Sequence, residues 1–246
     1  MGLSKNSAKF IIALQQKKYR QKYKLFVAEG VKVVKELLAS DFEPYQLFGT
    51  DNSLVFKTST VFNLISEQNL KKISTLKTPN KVLALFKIPR AEMPVVDDLI
   101  LALDGVSDPG NLGTIIRLCH WFGLSQLICS SSTVDCYNQK VIQASMGSIA
   151  KVNIYYTDLS EYLTLNKLPV FSTDTEGDSV YQADLPQKAV LVMGSETQGV
   201  SNAVKLTAKA KLCIPSFGNG QKAESLNVAT ATAVLLSEFR RRQIVL

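Results

Sequence analysis

"LILALDGVSDPGNLGTIIRLCHWFG", residues 99–123, moves in one pass from a strand through a polar turn into a helix. Its opening run, "LILALDGV" (99–106), is apolar throughout, has the length of a strand buried on both faces, and ends at Asp104. A turn rich in Pro, Gly and Asn follows, and the pattern predicts a helix that begins near Gly113 and carries Arg117 in its first turns. The same alternation recurs downstream. Strand-length apolar runs stand at "SQLICSS" (125–131), "LPVFSTD" (168–174), "AVLVMGSE" (189–196) and "AKLCIPS" (210–216), with helical stretches "NQKVIQASMGSI" and "SNAVKLTAKA" among them. Apolar strands alternating with helices imply an α/β fold built on a parallel sheet covered on both faces. Ligands of such sheets bind beyond the carboxyl ends of the strands, so the loops there are the place to look for chemistry.

Upstream, the prolines of "KIPRAEMPVVDDL" (87–99) mark a linker, and before it lies a small α/β module. There "GVKVVKELLASD" reads as a helix with Val31, Val34, Leu37 and Leu38 on one face. "YQLFGT" and "VLALFKI" read as strands, and "SEQNLKKIST" as a helix capped by Ser66. The whole chain of 246 residues carries a net charge of +7, unevenly divided. Residues 1–90 hold 16 Lys and Arg against 6 Asp and Glu, whereas residues 91–246 hold 12 against 15. Within "QQKKYRQKYKLF" (15–26), Lys17, Lys18, Arg20, Lys22 and Lys24 are interleaved with Tyr19, Tyr23 and Phe26. Basic side chains neutralise phosphates and aromatic rings stack on bases; a solvated helix face is the plainer reading, and the segregation of charge favours RNA or DNA.

Other chemistries are poorly supplied. The four cysteines form no CxxC pair and His120 is the one histidine, which argues against a zinc site and against a Ser/His/Asp triad. Cys119 and Cys129 lie in apolar runs and read as buried reduced thiols, and His120, beside Trp121 and Phe122, as a satisfied half-buried ring. No apolar stretch is long enough for a membrane span and the N-terminal run is too short for a signal peptide, so the expected compartment is the cytoplasm. The polar residues gather in three strand-end loops. Asn111 and Arg117 follow the first strand; Gly194, Ser195, Glu196 and Gly199 follow "AVLVM"; Ser225 and Asn227 follow a glycine-bearing loop ahead of a largely apolar helix. A carboxylate at the end of a buried strand needs donors, and Arg117 is the candidate partner for Glu196; Arg117 fits equally a structural ion pair or an anionic ligand. Neither GxGxxG nor a P-loop occurs.

In order and spacing, "DPGNLGTIIRLCHWFG", "LVMGSETQGVS" and "IPSFGNGQKAESLNVATATAVLLSEFRR" resemble the three motifs of the SpoU, or TrmH-type, RNA ribose 2′-O-methyltransferases of the SPOUT superfamily. "YRQKYKLFVAEGVKVVKELL" likewise resembles the ribosomal-protein-like RNA-binding domain that many members carry. The resemblance implies a substrate-binding domain over 1–88, a linker over 89–98 and, over 99–246, a parallel sheet with a deep C-terminal trefoil knot. It implies S-adenosylmethionine as methyl donor, a homodimer, and RNA, ribosomal rather than transfer, as substrate. Matched positions for the donor are Thr173, Met193, Gly194, Ser195, Gly199, Ile214, Pro215 and Leu226. Catalysis falls to Arg117, Asn111, Glu196, Ser225 and Asn227, and RNA contact to Lys17, Lys18, Arg20, Lys22, Lys24 and Phe26. Transfer-RNA methylation is the alternative activity, and a binding-only ribosome-assembly protein the alternative class; the serine and asparagine of the third motif argue against base methylation. Two further expectations concern the C-terminal third. The loop 216–224 is longer than the common family loop, with Ser216 in place of the usual Met. The helix after Asn227, on which Leu226, Ala229, Ala233 and Leu236 recur at helical spacing, is expected in the knot and at the dimer interface, with "EFRRR" emerging into water.

Overall fold

The computed structural model describes residues 2–54, 56, 58–95, 98–218 and 224–243. In chain order the elements are α1 (Lys5–Ala13), α2 (Lys17–Tyr23), β1 (Leu25–Glu29), α3 (Val31–Leu38), β2 (Pro44–Gly49), β3 (Phe62–Leu64), α4 (Glu67–Ile73) and β4 (Val82–Lys87). There follow β5 (Ile100–Asp104), α5 (Pro109–Trp121), β6 (Gln126–Ser130), α6 (Gln139–Ser145), a 3₁₀ turn at Ser148–Lys151, β7 (Asn153–Thr157) and α7 (Leu159–Leu165). The chain closes with β8 (Val170–Ser179), β9 (Val190–Gly194), α8 (Asn202–Lys205), β10 (Ala210–Cys213) and α9 (Val228–Arg241). These elements divide into two compact units. One takes residues up to Arg90 together with Asp135–Lys151, the other Ala91–Val134 together with the chain from Val152 onward.

The first unit is a mixed sheet in the order β1-β4-β2-β3, antiparallel except where β2 meets β3. Side chains alternate across a strand, so β1 and β4, buried on both faces, feed two layers. Leu25, Val27, Leu83 and Leu85 join Ile11 of α1, Leu14 at its C-cap, and Leu70 and Ile73 of α4. Phe26 turns the other way and sits among the rings of Phe42, Phe86 and Tyr137 at 5.4, 5.7 and 4.9 Å. The α3 helix buries Val33, Val34 and Leu37, while Val31 and Leu38 are half-buried, so its inner face is rotated from the expected one. Ser66 caps α4 as expected, its Oγ accepting the Asn69 N–H.

Two residues of the expected RNA surface are structural instead. Phe26 is fully buried in that ring cluster. Arg20 is 2% exposed, its Nε and Nη2 donating to Asp135 Oδ2 at 2.9 and 2.6 Å and its Nη1 to the carbonyls of Leu14 and Gln15 at 2.9 and 2.7 Å. Four of the five guanidinium N–H groups are thus engaged, and the buried side chain presents no face to a phosphate. Lys17, Lys18, Lys22 and Lys24 remain exposed. Beside them Tyr19 and Tyr23 stack at 6.3 Å, with Lys18 Nζ 5.0 Å above the Tyr19 ring and Lys22 Nζ 5.3 Å above that of Tyr23.

The second unit is a six-stranded sheet in the order β10-β8-β9-β5-β6-β7, parallel in every pairing. One face packs Ile100, Ala102, Ile128, Val190 and Val192 on Leu159 and Leu163 of α7 and Val204 of α8. The alternate residues face α5 and α9, where Phe171 meets Phe239 edge-on at 5.9 Å. Each expected strand of this unit is present; β7 and α7, which carry weaker apolar patterns, come in addition. Among the described residues no helix is long and apolar enough to cross a membrane, and no group of three His, Cys, Asp or Glu side chains could hold a metal ion.

Two expectations about α9 need correction. Leu226 lies before the helix and is half exposed; the buried stripe is Val228, Ala229, Thr232, Leu235, Leu236 and Phe239. The arginines that follow do not simply emerge into water. Arg240 donates to the Phe122 carbonyl at 2.9 Å, and Arg242 to those of Ala183, Val180 and Tyr181 at 2.5, 3.3 and 3.2 Å.

Candidate active site

The centre of the parallel sheet positions the first two of the three polar loops. β5 lies between β9 and β6, and at its carboxyl end Asp104 is in register with Gly194 of β9. Two loops therefore leave the sheet side by side, and the Asp104 carboxylate accepts the Ser201 N–H at 2.8 Å, tying the root of one to the far end of the other. Gly105, at φ +75°, turns the first loop away, and its N–H donates to Ser130 Oγ at 2.9 Å. Ser130 lies in turn within 2.9 and 3.1 Å of the Ser132 and Thr133 hydroxyls, and Thr133 donates to the Leu103 carbonyl.

The helix begins earlier than expected, at Pro109 rather than near Gly113. Asp108 caps it, with Oδ1 accepting the Asn111 N–H at 2.8 Å, and Pro109 occupies the first helical position, where its missing N–H costs nothing. Asn111 thereby enters the first turn and Arg117 moves to the third. Asn111 Nδ2 donates to Glu196 Oε1, and Asn111 Oδ1 accepts from Asn227 Nδ2 at 2.9 Å. Asn227 Oδ1 accepts the N–H groups of Ala229 and Thr230, at 3.0 and 3.3 Å, as the N-cap of α9. The orientation of both amides follows from chemistry: an ionised carboxylate only accepts and a backbone N–H only donates, so each Asn has one possible direction. One polar chain thus runs from Glu196 through Asn111 to Asn227 and the start of α9.

Arg117 and Ser225 are exposed and stand outside this chain of bonds. The expected Arg117–Glu196 pair is not formed; Glu196 takes its donor from Asn111, and among the described residues Arg117 makes no ion pair. His120 is exposed rather than half-buried. Cys119 is buried, as expected, and burial pushes its thiol up to about 12, which leaves it unreactive.

Of the expected donor residues, Gly194 and Gly199 shape a closed turn. Ser195 and Gly199 exchange both backbone hydrogen bonds, at 3.1 and 2.9 Å, with Gly199 at φ +65° and Ser195 Oγ accepting the Gln198 N–H at 3.1 Å. A Cβ on Gly194 would lie 2.1 Å from the Gly199 carbonyl carbon and 2.2 Å from the Val200 nitrogen. Met193 is buried, and Thr173 Oγ1 donates to the Val192 carbonyl at 2.9 Å. Ile214 and Pro215 are half-buried just beyond β10. Residues 219–223 of the lengthened loop lie outside the described residues.

Residues 98–237 match the SpoU rRNA methylase family, and residues 5–84 match the MRM3-like substrate binding domain. The chain belongs to the SpoU rRNA methylase family. Among the relatives of this SpoU protein is the 23S rRNA (guanosine(2553)-2′-O)-methyltransferase RlmP of Bacillus subtilis, 29% identical over 235 residues that span 92% of this chain and 93% of the relative. A solved structure from Porphyromonas gingivalis, of a protein ascribed to the TrmH family, superposes with a TM-score of 0.88 at 38% identity, covering 98% and 99% of the two chains. An rRNA methyltransferase from Sinorhizobium meliloti, solved with S-adenosylmethionine bound, superposes at 0.86 with 28% identity over 100% and 99%.

Three residues that shape these loops stand outside the expected site residues: Asp104, Asp108 and Ser130. The first two could have been found. Asp before Pro ahead of an apolar run is a helix start, and a carboxylate at a buried strand end needs a donor. Ser130 has no such signal, because the Gly105 N–H that it accepts comes from a different loop.

Proposed function

We propose that this protein transfers the methyl group of S-adenosylmethionine to the 2′-hydroxyl of a ribose in 23S ribosomal RNA. The observation that carries the reading is the Glu196–Asn111–Asn227 chain, which joins three strand-end loops at the carboxyl edge of β5 and β9. The donor's recognised groups fit the residues at that edge. Within the 195–199 turn, the backbone groups of Glu196 and Thr197, outside the Ser195–Gly199 exchange, suit polar recognition, and Ile214, Pro215 and Leu226 offer partly exposed apolar surface. Bound there, the donor supplies a methyl group already activated by its sulfonium charge.

The chain's own residues then have to orient a poor nucleophile and offset the charge that develops as its proton leaves. Arg117 suits that second task. It is exposed, carries no ion pair among the described residues, and as a guanidinium offers donors and no acceptor, so it stabilises a developing alkoxide and anchors the neighbouring phosphate rather than acting as a base. Asn111 and Glu196 hold one another in a single orientation, and Ser225 and Asn227 complete the pocket. We assign 1–88 to substrate holding and 99–246 to methyl transfer, with Lys17, Lys18, Lys22 and Lys24 on RNA.

A homodimer and a C-terminal trefoil knot belong to the same reading. Trp121, at the end of the helix that bears Arg117, is 84% exposed, and Leu226 is 50% exposed, as surfaces awaiting a second copy would be. The chain leaves edge strand β10, beside β8, and returns as α9 over β9 and α5, a path in keeping with threading. The test is labelled methyl transfer to 23S rRNA, with the site mapped by resistance to alkaline cleavage and chain number measured by sedimentation. Transfer to a ribose is the expected result. Transfer to transfer RNA alone would favour the alternative activity, and donor binding without transfer to any cellular RNA would replace it with a binding-only role.

A further inference from the structure

The two helices that supply the site's polar chain are also joined at their opposite ends. α5 carries Asn111 in its first turn and α9 is capped by Asn227, and the two amides meet at 2.9 Å. Thirteen residues further along α9, about 20 Å at 1.5 Å per residue, Arg240 reaches the far end of α5. Its Nε donates to the Phe122 carbonyl at 2.9 Å and its Nη2 to that of Gly123 at 3.5 Å, groups left without helical partners where α5 stops. Nη1 and Nη2 also reach Asp98 Oδ1 and Oδ2, at 3.4 and 3.3 Å, just ahead of β5. Burial alone would raise the Asp98 carboxyl, but the Leu99 N–H and the Arg240 guanidinium together hold it below its ordinary value. Nη1 completes its bonding on Gln243 Oε1 at 2.6 Å.

We propose that Arg240 is a positioning residue for methyl transfer: by fastening the C-terminal ends of α5 and α9 to one another and to Asp98, it holds Asn227 against Asn111 at the other end. The lever is long. A tilt of α9 by about 3° about its C-terminal end moves its cap by about 1 Å, enough to lose a hydrogen bond. Arg242 provides the contrast, because its hydrogen bonds go to Glu238 and to the carbonyls of residues 180, 181 and 183, with none to α5.

The inference rests on the methyl-transfer reading, so its test has two arms. In the kinetic arm, Arg240→Ala is expected to lower kcat on the order of tenfold to a hundredfold while the donor KM stays within about twofold. Arg242→Ala is expected to lower the melting temperature comparably yet keep kcat within about twofold. Arg240→Lys, which keeps the charge but not the fork, is expected to recover part of the loss. In the exchange arm, Arg240→Ala is expected to speed amide exchange at Ala229 and Thr230, the two N–H groups that Asn227 caps, and Arg242→Ala is not. Unchanged kcat in Arg240→Ala, or an equal loss in Arg242→Ala, overturns the proposal. Should the wild-type protein transfer no methyl group at all, the methyltransferase reading fails and exchange alone decides: faster exchange at those two amides upholds the fastening, and unchanged exchange rejects it. If Arg240→Ala does not fold, Asp98→Asn and Arg240→Lys carry both arms.

Discussion

Arg20 and Arg117 each stand on a helix near a stretch rich in functional residues, and they meet opposite fates. Arg20 is enclosed, with its donors spent on Asp135 and on two carbonyls of the preceding turn. Arg117 is exposed, and among the described residues no carboxylate pairs with it. The difference lies in what the fold brings to each: Asp135 comes from 115 positions away to meet Arg20, whereas Glu196, the carboxylate that the sequence offers to Arg117, is taken by Asn111. An arginine with no acceptor of its own is available to a ligand, and one with three is part of the framework.

Four measurements break or sharpen that contrast. The largest effect is expected from Arg20→Ala, which leaves Asp135 without its partner in a mostly buried site and costs about 3–5 kcal/mol in urea unfolding. Were Arg20 an RNA contact instead, the same variant would keep its stability and lose RNA affinity. Next, Arg117→Ala is expected to lower kcat on the order of a hundredfold to a thousandfold with the melting temperature unchanged. Arg117→Lys should fall well short of wild type; near-full activity would mean that the planar fork is unnecessary and would remove both roles assigned to it.

A smaller effect is expected from Lys17→Gln, Lys18→Gln and Lys22→Gln together. With three fewer cations to neutralise the phosphates of single-stranded RNA, the slope of log affinity against log salt should shrink by about two, with donor binding unchanged. The smallest concerns acid. Arg241 hydrogen-bonds Glu238 and, with Arg242, holds its carboxyl below the ordinary glutamate value. A depressed folded-state value stabilises the native protein above the unfolded value, and that contribution is lost as pH falls through the folded one. The melting-temperature difference between wild type and Glu238→Gln should therefore be full at neutral pH and vanish in acid; a difference that grew on acidification would contradict it.

The same contrast explains what could be read from the letters alone. The strands of the second unit were legible because a strand covered on both faces has no polar alternation to confuse, as in Ile100–Leu103 and Val190–Met193. The three polar loops were legible through their motifs, and Asn111, Glu196 and Asn227 do meet. Their wiring was not. Which carboxylate faces which donor depends on the register of β5 against β9, and that register is absent from any short stretch. Arg20, Phe26 and Arg240 misled for one reason: each lies in a run that looks solvent-facing locally, and each is buried or bound by residues far along the chain, Tyr137 for Phe26 and Phe122 for Arg240. Residues 135–151 show the same effect on a larger scale, since they lie between β6 and β7 in the chain yet group with the first unit. The start of α5 is different, because the Asp108–Pro109 pair was in plain view.

The close approach at Gly194 has a consequence for heritable variation. With the Gly199 and Val200 backbone where any side chain would begin, the position admits one residue out of twenty, and selection for activity from a library randomised there should return glycine alone. Gly218, where an added Cβ would find, among the described residues, only the Ser216 hydroxyl at 4.0 Å, should accept most replacements. Two glycines in neighbouring motifs would then record opposite histories, one held fixed by its neighbours' backbone and the other free to drift.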